Sequence, residues 1–242
     1  MPSLEASGVT VTFGGRRALD NAGLSAAEGA ITGLIGPNGA GKSTMFDVIT
    51  GLRRPVTGRV SAGGRDVTAM GPSRRAGCGM ARTFQRLELF GRLSVRENLL
   101  VAAELGPQRR RASAVVDEIL GRLGLTDMAD AHSDALPTGT GRLVEVGRAL
   151  AVRPRYLLLD EPAAGQDPAE ARRFAALLRS LAAEGTAILL VEHDMSLVMD
   201  VCDQVYVLDL GVIIASGPPS AVRREAAVLA AYLGDAAPGG VA

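Results

Sequence analysis

The sequence predicts an α/β protein whose mainly parallel sheet is covered by helices, with an N-terminal antiparallel β subdomain and an inserted helical subdomain. Three observations predict this class. Helical and strand-like segments alternate through the second half of the chain, which favours parallel strands joined by helices. A hairpin signal with Gly63-Gly64 at its turn lies before them. Periodic apolar positions between Leu93 and Leu125 indicate two or three inserted helices.

The first third of the chain contains short strand signals and one helix. Val9 to Phe13 alternates like a strand and ends at Gly14-Gly15, and the apolar run from Ala30 to Ile35 closes on Gly36. A helix is predicted over Lys42 to Ile49, with Met45, Val48 and Ile49 on its apolar face and Gly51 as its stop. Further expected elements are a hairpin over 59–67 and a strand over 80–85.

The rest of the chain reads as one unit, so we expect a single domain over 1–242 with its helical subdomain at about 86–150. Gly106-Pro107 breaks the apolar period inside that subdomain. A flexible tail is expected over 235–242. The remaining predicted elements are helices over 142–152, 168–183 and 221–233, and strands over 156–160, 187–192, 204–208 and 212–215.

Composition limits the functional classes. Twenty-six acidic residues balance twenty-six basic ones in 242 residues, so no overall field draws the protein to nucleic acid. The run Arg109-Arg110-Arg111 is read as a solvated loop, with a binding patch as the alternative. Cys78 and Cys202 lack metal-ligand spacing and are expected to be ordinary thiols. The longest apolar runs are far shorter than the roughly 20 residues that cross a bilayer, and no secretion signal is expected.

One segment fits the phosphate-binding pattern G-x-x-x-x-G-K-[ST]. It follows a predicted strand and opens a predicted helix, which is the context that the pattern requires. Lys42 in this segment is the chain's only lysine, and every other basic side chain is arginine. A bias this strong suggests that this position needs a compact ammonium, as a site between the outer phosphates of a nucleotide does. The segment consists of Gly36, Pro37, Asn38, Gly39, Ala40, Gly41, Lys42, Ser43 and Thr44.

Two consecutive carboxylates end the predicted strand over 156–160. Asp160 is expected to hold Mg²⁺, directly or through water, with Ser43 as the other protein oxygen. Glu161 is expected to polarise the water that attacks the outer phosphate. The alternative is a solvated strand terminus, which the upstream phosphate loop makes less favoured.

Three more side chains are candidates for the same site. His193 follows the strand over 187–192 and can hydrogen-bond the outer phosphate and the attacking water; the alternative is a surface histidine. Gln85 ends another predicted strand and can ligate Mg²⁺ or water. Phe13 can stack on adenine, although a lone strand phenylalanine is often a core residue. The other histidine, His132, is expected in a solvated loop.

The order of these motifs resembles the ATP-binding cassette ATPases across nearly the whole chain. Within that family the chain looks most like the importer ATPases for branched-chain amino acids, although closely related cassettes serve urea uptake and lipid export. The segments that carry this likeness are Thr83-Phe84-Gln85, Asp160 to Gly165, Glu192 to Met199 and Ala231 to Gly234.

The resemblance implies a P-loop NTPase core that binds ATP and Mg²⁺ and hydrolyses ATP. It implies a head-to-tail dimer, in which each nucleotide lies between one phosphate loop and the signature segment of the other subunit, here around Gly139. It also implies transmembrane permease subunits, a solute-binding protein and a location on the cytoplasmic face of the membrane. The surface from Leu87 to Leu100 would meet the permease.

The signature segment departs from the family pattern. The family usually has Leu-Ser-x-Gly-Gln where this chain has Leu136-Pro137-Thr138-Gly139-Thr140. Pro137 has neither a hydroxyl nor a backbone N–H. We therefore expect a heterodimer, in which a different cassette supplies an intact signature; in the alternative, a homodimer, both sites would carry the defect and turnover would be slow. The open alternatives are a lipid or drug exporter, a soluble cassette of translation or DNA repair, and a regulatory subunit with little catalysis.

Overall fold

The structure is a computed structural model that describes residues 3–85 and 87–234. In these ranges the strands are β1 (Ser3–Phe13), β2 (Arg16–Ala27), β3 (Ile31–Ile35), β4 (Thr57–Ala62), β5 (Arg65–Asp66), β6 (Met80–Arg82), β7 (Tyr156–Asp160), β8 (Ala187–Val191), β9 (Gln204–Asp209) and β10 (Val212–Gly217). The α-helices there are α1 (Lys42–Thr50), α2 (Pro72–Ala76), α3 (Val95–Leu105), α4 (Ala112–Leu123), α5 (Thr138–Ala151), α6 (Pro168–Ala183), α7 (Met195–Val201), α8 (Pro219–Val222) and α9 (Ala226–Gly234).

The smaller sheet is antiparallel and has the strand order β2-β1-β4-β5. Its β4–β5 hairpin confirms the turn predicted at Gly63-Gly64. The sequence did not predict β2, because two of its four buried residues are alanine, only Leu19 and Leu24 are large, and the alternation is therefore weak. β1 and β2 pair along almost their full lengths.

The larger sheet has the order β10-β9-β3-β8-β7-β6 and is parallel except for β10. Asp160 pairs with Val191, and Leu34 pairs with Val191 from the other side. The carboxyl ends of β3, β7 and β8 therefore meet at one edge of the sheet, the edge where ligands bind in open α/β sheets.

Local sequence signals predicted some element bounds and missed others. The strand ending at Asp160 and the helix over 168–183 lie where expected. β6 ends at Arg82, so the prediction that Gln85 ends a strand was wrong. Helix α5 begins at Thr138, directly after Pro137 and four residues earlier than expected, and residues 223–225 divide the predicted closing helix into α8 and α9. The predicted tail over 235–242 lies outside the described residues.

Helices α3, α4 and α5 pack together over the expected insertion. Leu99, Val116 and Val144 are fully buried between them, and they belong to the same apolar cluster as the strand residues Leu157 and Leu159. Within the described ranges no helix combines the length and the apolar character that a membrane span needs. Cys78 and Cys202 are both free thiols, as predicted.

The end of α1 is held by one buried arginine. The guanidinium of Arg75 donates hydrogen bonds to the carbonyls of Val48 and Ile49 in the last turn of α1, at 2.6 and 2.5 Å. It also donates to the carbonyls of Met70 and Thr68, both at 3.0 Å. A cation at the carboxyl end of a helix complements the helix dipole, so this contact stabilises the helix that opens at the phosphate loop.

Candidate active site

The segment over 36–44 forms a loop between β3 and α1. A Cβ atom on Gly36 would lie 1.9 Å from the carbonyl oxygen of Leu208, so only glycine fits there. Gly41 precedes α1 with φ 112°, and no side chain caps this helix. By contrast, Ser94 and Asp167 form capping boxes at the starts of α3 and α6. Among the described residues, no side chain accepts a hydrogen bond from the first-turn N–H groups of α1, which suits an anion.

The hairpin between β9 and β10 braces the loop from behind. The N–H of Gly211 donates to the carbonyl of Ala40, and the N–H of Asp20 donates to the carbonyl of Gly211, both at 2.9 Å. A Cβ atom on Gly41 would lie 2.6 Å from the carbonyl oxygen of Ala18. These contacts hold the loop in shape without a ligand.

Lys42 lies at the floor of the loop and is 8% exposed. Its Nζ donates hydrogen bonds to the carbonyl oxygens of Gly36, at 2.6 Å, and Pro37, at 3.0 Å. Burial lowers the pKa of Lys42, and the charges of Glu161 and Asp160 oppose that shift. The side chain of the chain's only lysine is therefore a buried cation near two carboxylates. A buried ammonium of this kind can bind a phosphate.

A cavity of about 280 Å³ brings together most of the predicted site residues. Phe13, Gly36, Pro37, Asp160 and Gly139 lie outside its lining. Ala18 and Val191 line it without having been predicted. The predicted residues that line it are Asn38, Gly39, Ala40, Gly41, Lys42, Ser43, Thr44, Gln85, Glu161 and His193.

Glu161 lies between two hydrogen-bonding side chains. Its Oε1 is 2.7 Å from Nε2 of His193 and accepts a hydrogen bond of 3.3 Å from Nε2 of Gln85. Glu161 has φ 50°, an unfavourable conformation for a residue with a Cβ, and its N–H donates to the carbonyl of Val191 at 2.9 Å. Three segments that are distant in sequence thus converge on one carboxylate.

Asp160 is buried below the cavity and is paired with Arg82. The two side chains are 3.2 Å apart between Arg82 Nη2 and Asp160 Oδ2. Burial raises the pKa of Asp160, and the charge of Arg82 lowers it. The hydroxyl of Thr83 accepts a hydrogen bond from the N–H of Asp160 at 3.1 Å. Sequence reasoning missed Arg82, although its place two residues after the apolar Met80 puts it on the inner face of a strand.

Sequence reasoning also missed Glu192, which links two segments of the site. Its Oε1 accepts from the N–H of Ala163 at 2.9 Å, and its Oε2 accepts from the N–H of His193 at 3.2 Å. Burial raises the pKa of Glu192. The position of Glu192, an acid at the end of a predicted buried strand, could have indicated this role.

Helix α5 holds the segment that carries Gln85. Arg142 donates to the carbonyl of Phe84 at 2.7 Å and to that of Gln85. It also pairs with Glu145, at 2.9 Å, and Oε1 of Glu145 accepts from the N–H of Glu88 at 2.8 Å. We call these contacts the α5 clamp.

Oxygen donors for a hard cation are present but few. Ser43 and Gln85 line the cavity, and Asp160 lies close enough to influence Lys42 electrostatically. No group of three or more His, Cys, Asp or Glu side chains within residues 3–85 and 87–234 is arranged to hold a metal. Such a set fits Mg²⁺, which keeps several waters and takes phosphate oxygens, better than a metal enclosed by protein ligands.

Two predicted binding residues lie apart from the cavity. Phe13 is 44% exposed, and the guanidinium carbon of Arg53 lies 4.1 Å from the centre of its ring. Gly139 lies in the first turn of α5, where a Cβ atom would be 3.1 Å from the carbonyl oxygen of Gly165. Pro137 precedes this helix, which has no side-chain cap.

Comparison with known proteins identifies the family. A family model described as "ABC transporter" matches residues 19–164. The chain belongs to the ABC transporter family, and it is an ATPase cassette of that family. A second model, "Branched-chain amino acid ATP-binding cassette transporter", matches residues 212–238 of this cassette.

Relatives of the cassette cover nearly its whole length. It is 38% identical to the high-affinity branched-chain amino acid transport ATP-binding protein LivG of Salmonella typhimurium, over 97% of this chain and 99% of the relative. It is 35% identical to the lipopolysaccharide export system ATP-binding protein LptB of Haemophilus influenzae, over 97% and 98%. A solved ABC transporter cassette in its ADP conformation superposes with a TM-score of 0.86 at 33% identity, over 97% and 99%. The expected family and fold class are thus confirmed.

Proposed function

We propose that this cassette powers the uptake of branched-chain amino acids, as one of two ATPase subunits beneath a membrane permease. The match of residues 212–238 to the branched-chain amino acid cassette model carries this choice of solute. The likeness to LivG over nearly all of both chains supports it. The likeness to LptB keeps export of a lipid as a second candidate.

ATP binding is assigned to the loop over 36–44. The ammonium of Lys42 and the first-turn amides of α1 hold the outer phosphates. Ser43, Gln85 and Asp160 hold Mg²⁺, whose chemistry is to neutralise charge that develops on the phosphate oxygens. For the base, we assign stacking to Phe13, with Arg53 moving from the ring face that it now covers.

Hydrolysis is assigned to the three side chains that converge on one carboxylate. Glu161 accepts a proton from the attacking water or orients it, and His193 fixes the direction of that carboxylate from 2.7 Å. Gln85 contacts the same oxygen, so a movement of its segment changes the geometry around the water. Exchange of the acid for an amide retains the shape and removes the base.

The second subunit is assigned as a different cassette. Pro137 replaces a serine whose hydroxyl would donate to the outer phosphate across the dimer, and losing such a bond costs about 1.5–3 kcal/mol. Thr138, Gly139 and Thr140 still offer the N-terminal amides of α5. This chain therefore supplies Phe13, Lys42, Glu161 and the rest of the cavity to one competent site, and a weakened signature to the other.

The permease contact is assigned to a groove beside the α5 clamp. A second cavity, of about 360 Å³, is bordered by Phe84, Glu88, Ala102, Glu145 and Arg148, among others. The exposed side chains of Phe84, Leu87 and Phe90 lie on the same segment. We propose that residues 86–150 form a subdomain that borders one side of this groove, with residues 50–84 on the other side, and that the cassette sits on the cytoplasmic face of the membrane. A solute-binding protein would deliver the solute from the other face, and no nucleic acid takes part.

Uptake by a reconstituted complex tests the proposal. The cassette is combined in liposomes with a permease, a second cassette and a binding protein, with ATP on the cassette side. We expect entry of labelled leucine that depends on ATP and disappears with Glu161→Gln. Transport of a lipid in place of leucine would favour the second candidate, and retained uptake by Glu161→Gln would remove the catalytic assignment.

A further inference from the structure

Arg82 connects two elements that flank the candidate metal position. Its side chain is 10% exposed. One nitrogen, Nη1, lies 2.7 Å from Oδ1 of Asp47 in α1, and the other, Nη2, lies 3.2 Å from Oδ2 of Asp160 at the end of β7. A single planar fork therefore spans a helix and a strand that are adjacent only in the folded chain.

Two aromatic rings lie close to this fork. The guanidinium carbon lies 5.4 Å from the ring centre of Phe46 and 5.1 Å from that of Phe84. Both distances fall within the range of cation–π attraction. A guanidinium that moved away from its two carboxylates would also leave these aromatic neighbours.

Asp47 connects the fork to Ser43. The two residues are four apart in α1, so their side chains lie on one face of that helix. Ser43 faces the cavity, whereas Asp47 faces Arg82. Holding Asp47 thus restrains the rotation of α1 about its axis, and with it the direction of the Cα–Cβ bond of Ser43.

Asp160 is held by two neighbours on β6 and just after it. Arg82 engages Oδ2, and the Thr83 hydroxyl engages the backbone N–H. Within the described ranges, Oδ1 of Asp160 accepts no side-chain hydrogen bond, so it is the oxygen that can face a hydrated cation.

We propose that Arg82 is a positioning residue that sets the separation between Ser43 and Asp160 and so makes nucleotide binding responsive to Mg²⁺. The inference rests on the metal roles assigned under the proposed function. Arg82 lines the second cavity but not the one that contains Lys42 and Glu161, so it acts on the metal position through its two carboxylate partners. A lysine keeps the charge, but its single ammonium does not reproduce a planar bidentate fork.

Nucleotide binding with and without metal tests the inference. Full-length protein is titrated with ATP in EDTA and in Mg²⁺, and the measured quantity is the ratio of the two dissociation constants. We expect Mg²⁺ to tighten binding to the parent chain. In Arg82→Lys we expect that gain to fall about tenfold, because losing a residue that hydrogen-bonds to a metal ligand typically weakens metal affinity by that much. Binding in EDTA should be unchanged.

Asp47→Ala provides a second variant that leaves Arg82 and the three assigned metal ligands in place. It should reduce the same ratio, and combining it with Arg82→Lys should add little, because both changes break one connection. Arg122→Lys is the matched control, since Arg122 pairs with Glu184 on the surface away from the cavity. Thermal unfolding of each variant verifies folding.

Three outcomes would overturn the inference. They are an unchanged ratio in Arg82→Lys and Asp47→Ala, an equal loss of binding in EDTA, and a parent chain that binds ATP equally with and without Mg²⁺. A complex that imports no leucine while its cassette shows the expected ratios would count against the transported solute alone.

Discussion

His193 and Glu161 are in direct contact, with 2.7 Å between Nε2 and Oε1. The two residues follow neighbouring strands, so the parallel pairing of β7 with β8 brings them together. His193 is half exposed, whereas the Glu161 side chain is mostly covered. The histidine therefore orients the acid from the solvent side.

Replacing His193 by alanine should slow ATP turnover with a smaller effect on the KM for ATP. A positioned acid–base group contributes about 10²- to 10⁴-fold to a rate, so a loss of kcat on that scale is expected. His132→Ala is the matched control, because His132 is the other histidine, is exposed and does not line the cavity. Equal turnover by both variants would contradict the assignment.

The single lysine allows a chemical test of the phosphate site. Burial lowers the pKa of Lys42, so more of its amine is neutral at a given pH below its ordinary value of 10.5. An acylating reagent at mildly alkaline pH should modify Lys42, as read by peptide mass. ATP should suppress this labelling, since its phosphates cover the amine and favour its charged form. Lys42→Arg is the control without a side-chain amine, and labelling that ignores ATP would count against the site.

Breaking the α5 clamp should destabilise the protein and free the segment that carries Gln85. Arg142→Ala leaves Glu145 buried without its cation, a change that typically costs about 3–5 kcal/mol. Urea unfolding measures the stability, and hydrogen exchange over 84–90 measures the local opening. Arg122→Ala removes a surface pair and should cost about 0–1 kcal/mol. Addition of Glu145→Gln to Arg142→Ala should recover part of the loss, and a further loss would point to another cause.

Two helical glycines should respond oppositely to alanine. Gly121→Ala in α4 enters open space and should stabilise the protein by about 0.5–1 kcal/mol. A Cβ on Gly147 in α5 would lie 2.6 Å from Leu99 Cδ2 and 2.8 Å from Leu123 Cδ1, so overpacking of about 1–3 kcal/mol should exceed the helix-propensity gain. Thermal unfolding compares the two, and equal shifts would argue against close packing of α3, α4 and α5.

Restoring the signature should raise ATP turnover in a complex with the second cassette. Pro137→Ser with Thr140→Gln returns a hydroxyl donor to the start of α5, and the expected gain is about one to two decades at the site that this signature completes. Thr138→Ser is a control that changes a hydroxyl without replacing the proline. Unaltered turnover by the restored chain would contradict the expected difference between the two ATP sites of the dimer.

Elements with strong local signals could be predicted from sequence. The run Tyr156 to Asp160 is fully buried and bounded by Pro162, and Asp167-Pro168 begins α6 with a capping box. The phosphate loop, Glu161 and His193 were also predictable, because each follows an apolar strand at the edge where such ends meet.

Contacts between distant segments could not be predicted. Arg82 binds carboxylates 35 and 78 residues away, and Arg142 binds carbonyls 58 and 57 residues away. The strand alternation places Arg82 on an inner face, but neither it nor the residues around Arg142 indicate which distant groups these arginines bind. β2 was missed for the related reason that Leu19 and Leu24 are its only large buried side chains, and its long pairing with β1 cannot be read from the sequence.

The buried arginines limit where lysine can be introduced into this protein. Arg75 serves four backbone carbonyls, and Arg82 and Arg142 each bridge partners on separate elements. Surface arginines can be exchanged for lysine to install conjugation handles for dyes or surfaces, because a solvated charge tolerates either head group. At these three positions the guanidinium should be retained, since an ammonium would leave buried acceptors without a hydrogen-bond donor.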